Sequence, residues 1–255
     1  MSELVQVTDE GAVRTLTLNR PEKKNAFNAA LATALMDALR DADESDKVHV
    51  VVVTANGSVF SGGADVSLFL AVAQGKFEDG KTVSALPWAL RAVRKPLLAA
   101  IQGPAVGMGV TMLPHFDTVY AAKRATFGVP FVQLGLVQEF GSSWTLPRLI
   151  GRQRAAELIL RARPIDAETA QAWGLVTRVF DSAALLDEVH AIAKDMATAP
   201  LDALVHAKAL LRQGEAGTID EARQAEDEVL EARYGSPTNI AAVQAFFARQ
   251  KKKKS

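Results

Sequence analysis

The sequence predicts an α/β fold, and three features support this prediction. Residues 49–54 contain four consecutive valines and end before Asn56-Gly57, which is typical of a strand buried on both faces. Strand-like, turn-like and helix-like segments then repeat at short intervals between residues 84 and 122. The length of 255 residues fits one large core with an appendage, because single cores stop growing near ~250–300 residues.

The N-terminal segments predict a hairpin followed by a helix. Apolar and polar residues alternate over residues 13–19, the period of a half-buried strand, and residues 5–7 start its partner across a turn at 9–11. Residues 28–42 form the first predicted helix, with Asn28 as its N-cap. Its apolar residues recur at helical spacing: Leu31, Leu35, Met36 and Leu39.

The central part predicts two further helix and strand pairs. We expect a helix near residues 84–94, a strand at 97–101, a helix at 107–114 and a strand at 118–122. Residues 71–82 contain two glycines and several charged residues without an apolar period. This segment is predicted to be a mobile loop.

The C-terminal part is predicted to be mainly helical. A helix at residues 153–161 is followed by a second one that starts after the N-cap Asp166 and ends at Trp173, with Gly174 as its C′ residue. A short strand at residues 176–180 then leads to Asp181, which can cap the helix that ends before Pro200.

From residue 201 onward the pattern is helical, and Ser236-Pro237 has the form of an N-cap and first helical residue. The chain therefore divides into a core at residues 1–200 and a helical region at 201–255. The last helix carries an apolar stripe that it cannot bury alone, so we expect it to dock within the chain or in an oligomer. The stripe consists of Ile240, Val243, Phe246 and Phe247.

Composition excludes several classes of function. The 29 basic and 29 acidic residues leave no net charge, so the electropositive surface that nucleic acids require is not expected. Without cysteine the chain has no thiolate nucleophile and no Cys-ligated metal, and its four histidines lack the spacing of a metal hydrolase. No apolar run is long enough to cross a membrane, and residues 1–11 are acidic and unlike a signal peptide. We therefore expect a soluble, cytoplasmic protein.

Two glycine-rich turns carry the strongest signal of chemistry. Residues 59–65 and 102–109 each lie where a strand passes to a helix, so each can present unpaired backbone N–H groups. Two such turns side by side could hold one oxygen atom. For either turn alone, the glycines could equally serve only to make the turn tight. Neither segment has the spacing of a dinucleotide or P-loop motif.

Six motifs, in order over roughly residues 10–180, resemble those of the enoyl-CoA hydratase/isomerase (crotonase) superfamily. The resemblance implies a spiral of ββα repeats with a C-terminal helical region that mediates assembly into a trimer or a dimer of trimers. It also implies an oxyanion hole made by the backbone N–H groups of Ala64 and Met108, with Asp65 shaping the turn. The motifs are residues 18–26, 60–65, 102–109, 127–130, 134–136 and 170–176.

Acidic residues decide which reaction the resemblance implies. The two positions that carry the catalytic glutamates of hydratases align with Thr111 and Phe131, and neither residue can move a proton. Glu139 lies in a segment that resembles the one in which Δ3,Δ2-enoyl-CoA isomerases carry their single glutamate. On residues alone, Glu139 could instead complement the dipole of a helix that starts at Ser142.

The resemblance also implies where the acyl-CoA thioester substrate binds. Lys24, near Arg20 and Lys23, lies at the edge where the family binds coenzyme A, although each cation alone could be a solvated surface residue. The remaining residues expected to contact substrate are Ala26, Gly62, Gly63, Asp65, Val66 and Phe131.

These expectations converge on an isomerase that moves a double bond from C3 to C2 of an enoyl-CoA thioester. One carboxylate suits this reaction because it can take a proton from C2 and return it at C4. No metal or redox cofactor is expected, and coenzyme A enters only as part of the substrate. The alternatives are an isomerase of ring-derived, phenylacetate-type CoA esters, a weak hydratase, and a silent acyl-CoA-binding protein.

Overall fold

The computed structural model describes residues 3–68 and 78–252 and has a mixed α/β architecture. Within this part of the chain, six strands form one sheet in the order β1-β2-β3-β4-β6-β9, and three short strands form a second sheet in the order β5-β7-β8. In the larger sheet only β1 and β2 pair antiparallel. The strands are β1 Val5–Glu10, β2 Val13–Leu18, β3 Val50–Ala55, β4 Leu97–Ile101, β5 Ala105–Val106, β6 Thr118–Ala122, β7 Thr126–Gly128, β8 Ile165–Asp166 and β9 Arg178–Phe180.

Helices cover both faces of the larger sheet and make up the C-terminal part of the chain. Three short 3-10 helices, Pro21–Lys23, Leu113–His115 and Phe131–Leu134, lie between the longer elements. The α-helices are α1 Ala29–Glu44, α2 Glu78–Ser84, α3 Leu86–Ala92, α4 Met108–Thr111, α5 Ser142–Ile150, α6 Arg152–Arg161, α7 Ala167–Trp173, α8 Leu185–Met196, α9 Leu201–Gly214, α10 Ile219–Arg233 and α11 Pro237–Lys252.

Strand β3 lies at the centre of the core, and all six of its residues are buried. Successive side chains of a strand point to opposite faces. Val51 and Val53 therefore join the apolar cluster beneath α1, whereas Val50 and Val52 join the cluster beneath α8. The valine run is continuous because both faces are covered, which confirms the predicted buried strand.

Local capping signals predicted several element ends correctly. The Asn28 side chain accepts a hydrogen bond from the Leu31 amide at 2.9 Å, and Asp166 accepts one from the Thr169 amide at 2.8 Å. Gly174 adopts the left-handed conformation after α7, with φ of 91°. In the same way, the hydroxyl of Ser236 accepts from the amide at the third position of α11, at 3.2 Å.

Other predicted elements were wrong or shorter than expected. The loop predicted at residues 71–82 is helical from Glu78 onward, because α2 packs against α1 and buries Val83. The rest of that prediction, residues 71–77, lies outside the described residues. Asp181 does not cap α8, which starts four residues later; its carboxylate binds Lys123 at 2.7 Å instead.

The remaining differences concern short elements. The helix predicted at residues 84–94 is two helices, α2 and α3, with Pro87 in the first turn of α3. The helix predicted at 107–114 is α4 followed by a 3-10 turn, and the strand predicted at 176–180 starts only at Arg178. The second sheet was not predicted, because strands of two or three residues are too short to show a period.

Helix α9 attaches to the core through a buried lysine. Lys208 of α9 binds the Asp117 carboxylate at 2.6 Å and the Lys95 carbonyl at 2.7 Å. Ile240 and Val243 of α11 remain about half exposed, at 48% and 45%. The division at residue 200 and the docking role of this stripe stay predictions. No helix in the described ranges is both long and apolar enough to cross a membrane.

Candidate active site

The two glycine-rich turns lie side by side. The Phe60 amide donates to the Pro104 carbonyl at 3.0 Å, and the Val106 amide donates to the Ser61 carbonyl at 2.9 Å. Ser61 and Ala105 form a short parallel bridge between the turns. The predicted proximity of residues 59–65 and 102–109 is therefore present in the structure.

Glycines allow this close approach. Gly63 has a φ of +90°, and a Cβ atom there would lie 2.7 Å from the Val106 carbonyl oxygen. A Cβ atom on Gly109 would lie 3.0 Å from both the side chain and the carbonyl oxygen of Ser61. Such distances are shorter than van der Waals contact, so these two glycines do more than make each turn tight.

Two backbone amides of the paired turns have no hydrogen-bond partner among the described residues. The Phe27 amide donates to the Gly63 carbonyl, and the Phe27 carbonyl accepts from the Asp65 amide. The Ala64 amide, which lies between these two bonds, takes part in neither. Met108 is the first residue of α4, where an amide has no partner within its helix. Neither amide donates to another group in the part of the chain that the structure describes.

Both amide-bearing residues line a cavity of about 260 Å³. Gly62 and Gly63 contribute to its wall, and so does Phe131, which is 8% exposed. The cavity thus combines two candidate N–H donors with apolar surroundings. In such surroundings a hydrogen bond to a developing negative charge is stronger than in water.

Glu139 lines this small cavity and also a larger one of about 480 Å³. It is the acidic residue that the two cavity walls share, and no other described residue in either wall is acidic. Its carboxylate makes no hydrogen bond or ion pair with the described residues. Burial raises the pKa of Glu139 above its usual range, so the side chain is a stronger base than an exposed glutamate.

The backbone around Glu139 is held by hydrogen bonds and by left-handed residues. The Glu139 carbonyl accepts from the amide and the hydroxyl of Ser142, at 3.0 and 2.6 Å. Phe140 and Gly141 follow with φ of 60° and 69°. Helix α5 begins after Gly141, and the Glu139 carboxylate makes no hydrogen bond to its first amides.

The larger cavity has an aromatic wall with a few polar groups. Trp88, Phe140 and Trp144 supply its rings, and the Arg148 guanidinium stacks on Trp144 at 4.0 Å from the ring centre. Among the described residues, the polar ones of the wall besides Glu139 are Ser84, Arg91, His115 and Thr145. Sequence reasoning did not find this cavity, since its residues come from separate segments with no shared motif.

The predicted substrate-binding residues Lys24, Ala26 and Val66 line neither cavity. The Lys24 carbonyl accepts from the Gly62 amide at 2.8 Å, and the Ala26 carbonyl accepts from Arg20 at 2.8 Å. Val66 is 68% exposed and follows this turn directly. These residues form the edge of the turn that carries Ala64.

Asp65 is held by an ion pair and by hydrogen bonds within its own turn. Its carboxylate binds the Arg20 guanidinium at 2.6 Å and accepts from the amide and the hydroxyl of Ser67. Burial opposes ionisation, but these hydrogen bonds outweigh it and lower the pKa of Asp65 to about 2. Such an acid is too weak a base to accept a substrate proton at neutral pH.

The two hydratase positions hold no carboxylate in the structure. Thr111 is fully buried in α4 and lines neither cavity, whereas Phe131 faces the small cavity. Among the described residues, no group of three or more acidic or histidine side chains could hold a metal ion. The site therefore offers two amide donors, one carboxylate and apolar walls.

Comparisons with known proteins agree with this geometry. The profile of the enoyl-CoA hydratase/isomerase family matches residues 8–253. Enoyl-CoA delta isomerase 2 of Rattus norvegicus is 36% identical over 98% of this chain and 65% of its own length. The 1,2-epoxyphenylacetyl-CoA isomerase of Escherichia coli (strain K12) is 32% identical over 98% of this chain and 97% of its own length. The chain thus spans just under two thirds of the length of the rat relative.

Solved structures show the same fold. The crystal structure of the enoyl-CoA hydratase from Bacillus anthracis matches with a TM-score of 0.92 at 27% identity, over 96% of each chain. Similarity therefore extends to proteins named as isomerases and to one named as a hydratase. Overall likeness does not choose between these reactions, so the choice depends on the residues of the site.

Proposed function

Since the chain belongs to the enoyl-CoA hydratase/isomerase family, we propose that it is an isomerase that moves a double bond from C3 to C2 of an enoyl-CoA thioester. The observation that carries this proposal is the position of Glu139, which lines both the cavity with the free amides and the larger cavity. A 1,3-proton shift needs one base that reaches both C2 and C4 of the substrate. A carboxylate between two adjoining cavities meets this requirement.

In the proposed mechanism the thioester oxygen accepts hydrogen bonds from the Ala64 and Met108 amides. Glu139 removes a proton from C2, and the electron pair moves onto the thioester to give a dienolate. The two amides stabilise the negative charge on its oxygen, which typically lowers the barrier by about 2.7–4 kcal/mol per donor. The protonated Glu139 then returns the proton at C4, and the double bond remains between C2 and C3.

The surroundings of Glu139 support this role. Burial raises its pKa, and no cation pairs with the carboxylate among the described residues. The carboxylate is therefore less stabilised than in water and has more tendency to take a proton. A proton that stays on one carboxylate needs no water, metal or redox group, so we propose that the enzyme uses no cofactor besides the coenzyme A of its substrate.

Coenzyme A would lie along the turn that carries Ala64. Residues 23–26 and Val66 border this turn and lie outside the cavity walls, and Lys23, Lys24 and Val66 are exposed. A pantetheine chain that leaves the small cavity would meet these residues first. Lys23 and Lys24 could then pair with the phosphates of the nucleotide.

Two rate measurements on the purified protein test the proposal. With a 3-enoyl-CoA substrate, we expect absorbance to rise as the double bond becomes conjugated with the thioester carbonyl. With a trans-2-enoyl-CoA substrate, we expect hydration to be at least about 100-fold slower, because the described residues of the site include no second carboxylate to hold the water. Comparable rates would favour a hydratase, and tight binding without either reaction would favour a silent acyl-CoA-binding protein.

A second candidate substrate class is favoured by the aromatic wall of the larger cavity. Trp88, Phe140 and Trp144 present ring faces and edges that suit an acyl group containing a ring. The same mechanism would then act on a ring-derived, phenylacetate-type CoA ester. Comparing kcat/KM for a linear and a cyclic 3-enoyl-CoA of similar carbon number would decide between the two classes.

We also propose that the C-terminal helices assemble the protein into a trimer or a dimer of trimers. Large apolar side chains of this region are exposed in the single chain, among them Leu211, Ile219 and Tyr234 at 74%, 83% and 73%. Burying such side chains against other copies would stabilise an oligomer. Sedimentation equilibrium measures the mass directly, and a monomer at micromolar concentration would contradict this proposal.

A further inference from the structure

The loop that carries Glu139 has a backbone conformation that needs support. Phe140, the next residue, has a φ of 60°, and Gly141 has a φ of 69°. Glycine adopts such angles freely, but phenylalanine adopts them only at a cost in free energy. The contacts of Phe140 therefore decide whether Glu139 keeps its position.

His115 supplies such a contact. Its Nε2 atom lies 2.9 Å from the Phe140 carbonyl oxygen, and the residue is only 7% exposed. A carbonyl oxygen can only accept, so Nε2 must carry the hydrogen in this bond. On the other side, the Glu139 carbonyl accepts from Ser142, so each of the two peptide groups that flank Phe140 is held by a hydrogen bond at its carbonyl oxygen.

His115 also belongs to the segment that forms the oxyanion hole. It ends the 3-10 helix that directly follows α4, and α4 begins with Met108. A single stretch of eight residues thus carries a candidate amide donor at one end and the support of the candidate base at the other. The distance between base and donor is consequently set by a short, buried piece of backbone.

The charge state of His115 agrees with this arrangement. Burial lowers its pKa, and the nearby cations Arg91 and Arg212 lower it further, against the effect of the Phe140 carbonyl. The ring is therefore neutral at pH 7, with the hydrogen on Nε2. Nδ1 has no hydrogen-bond partner among the described residues.

We propose that His115 is a positioning residue that fixes the Glu139 carboxylate relative to the Met108 and Ala64 amides. It does not touch the reacting atoms in this role but acts through the Phe140 carbonyl. The inference rests on the proposed function, in which Glu139 is the base. Without the hydrogen bond, Phe140 can leave the left-handed region and move Glu139, and a displacement of about 1 Å can lower a rate about 100-fold.

Two substitutions at this position separate positioning from packing. His115→Phe keeps a ring in the buried site but removes the donor, and we expect kcat to fall roughly 10- to 100-fold with KM changed less than about threefold. His115→Gln places an amide N–H near the position of Nε2, and we expect it to retain at least about a third of the wild-type kcat. Equal losses in both variants would overturn the proposal.

A double-mutant cycle with Glu139→Gln tests whether His115 acts through Glu139. If it does, His115→Phe lowers the wild-type rate but leaves the residual rate of Glu139→Gln unchanged. A further loss of the same size in that background would show an independent role and overturn the inference. Should Glu139→Gln itself keep full activity, the proposed function fails, and this outcome is distinct because it does not involve His115.

Stability is measured alongside, by thermal unfolding of each variant. If His115→Phe does not fold, His115→Met replaces it, since methionine fits irregular buried space and also lacks the donor. Rates are expressed per active folded protein. An unchanged kcat in a folded variant that lacks the donor would contradict the positioning role.

Discussion

Glu139→Gln tests the central assignment, because the amide keeps the size of the side chain but cannot accept a proton from C2. No other described residue in either cavity wall is acidic. Asp65, which follows Ala64 directly, is paired with Arg20 and has a pKa of about 2. A replacement base is therefore absent from the described site.

The expected loss of rate follows from this isolation. General acid–base catalysis typically accelerates a reaction about 10²–10⁴-fold. Since Glu139 would provide both proton transfers, we expect kcat to fall about 10⁴-fold. This loss corresponds to about 5 kcal/mol in the barrier. Binding of a non-reactive acyl-CoA should change less than about threefold, since neither the amide donors nor residues 23–26 are altered.

The assay combines the absorbance change of a 3-enoyl-CoA with calorimetric titration of a saturated acyl-CoA. Glu188→Gln is a matched control, because Glu188 is exposed on α8 and lines neither cavity. We expect the control to retain wild-type turnover. Loss of binding together with turnover would assign Glu139 a structural role, and an unchanged rate would refute the proposed base.

The same substitution should raise stability in a pH-dependent way. Burial raises the pKa of Glu139 in the folded chain above its value in the unfolded chain. Below the unfolded pKa the group is protonated in both states and does not destabilise the fold. As pH rises through the folded pKa, the buried side chain becomes charged and the free energy of unfolding falls. Glu139→Gln should therefore raise Tm at pH 8 and change it little at pH 4. Equal shifts at both pH values would contradict desolvation as the cause.

Three other predictions concern the paired turns, the ion pair of Asp65 and the attachment of α9 to the core. Gly63→Ala should lower turnover and reduce the free energy of unfolding by about 2–4 kcal/mol, because its Cβ would overlap the facing turn. The control Gly11→Ala also has a positive φ but lies in open space, so chemical unfolding should show a loss of only about 1 kcal/mol. Asp65→Asn should lower the free energy of unfolding by about 1–2 kcal/mol at pH 7 and by almost nothing near pH 2. The lowered pKa of about 2 stabilises the fold above the ordinary pKa of 3.8, and this contribution disappears as pH falls through 2. The same loss at both pH values would refute this explanation. Burial lowers the pKa of Lys208 to about 8, so the unfolding free energy should rise by up to about 3 kcal/mol between pH 8 and 10.5, and Lys208→Met should remove that rise.

Local sequence determined the parts of this protein whose physics is local. The valine run of β3, the N-caps Asn28 and Asp166, and the glycine after α7 each depend on a few neighbouring residues, so a pattern in the chain reveals them. The two glycine-rich turns and Glu139 were also recognisable, because their motifs match those of a family. None of these patterns gives the distance between the motifs in the folded chain.

Tertiary structure alone decided how the site is put together. The pairing of the two turns, the position of Glu139 between two cavities and the bond from His115 to the Phe140 carbonyl join residues that are 25 or more positions apart. A histidine without a nearby metal-ligand partner gave no hint of its role in the sequence. Such contacts leave no periodic trace, because they depend on how packed elements bring distant backbone groups together.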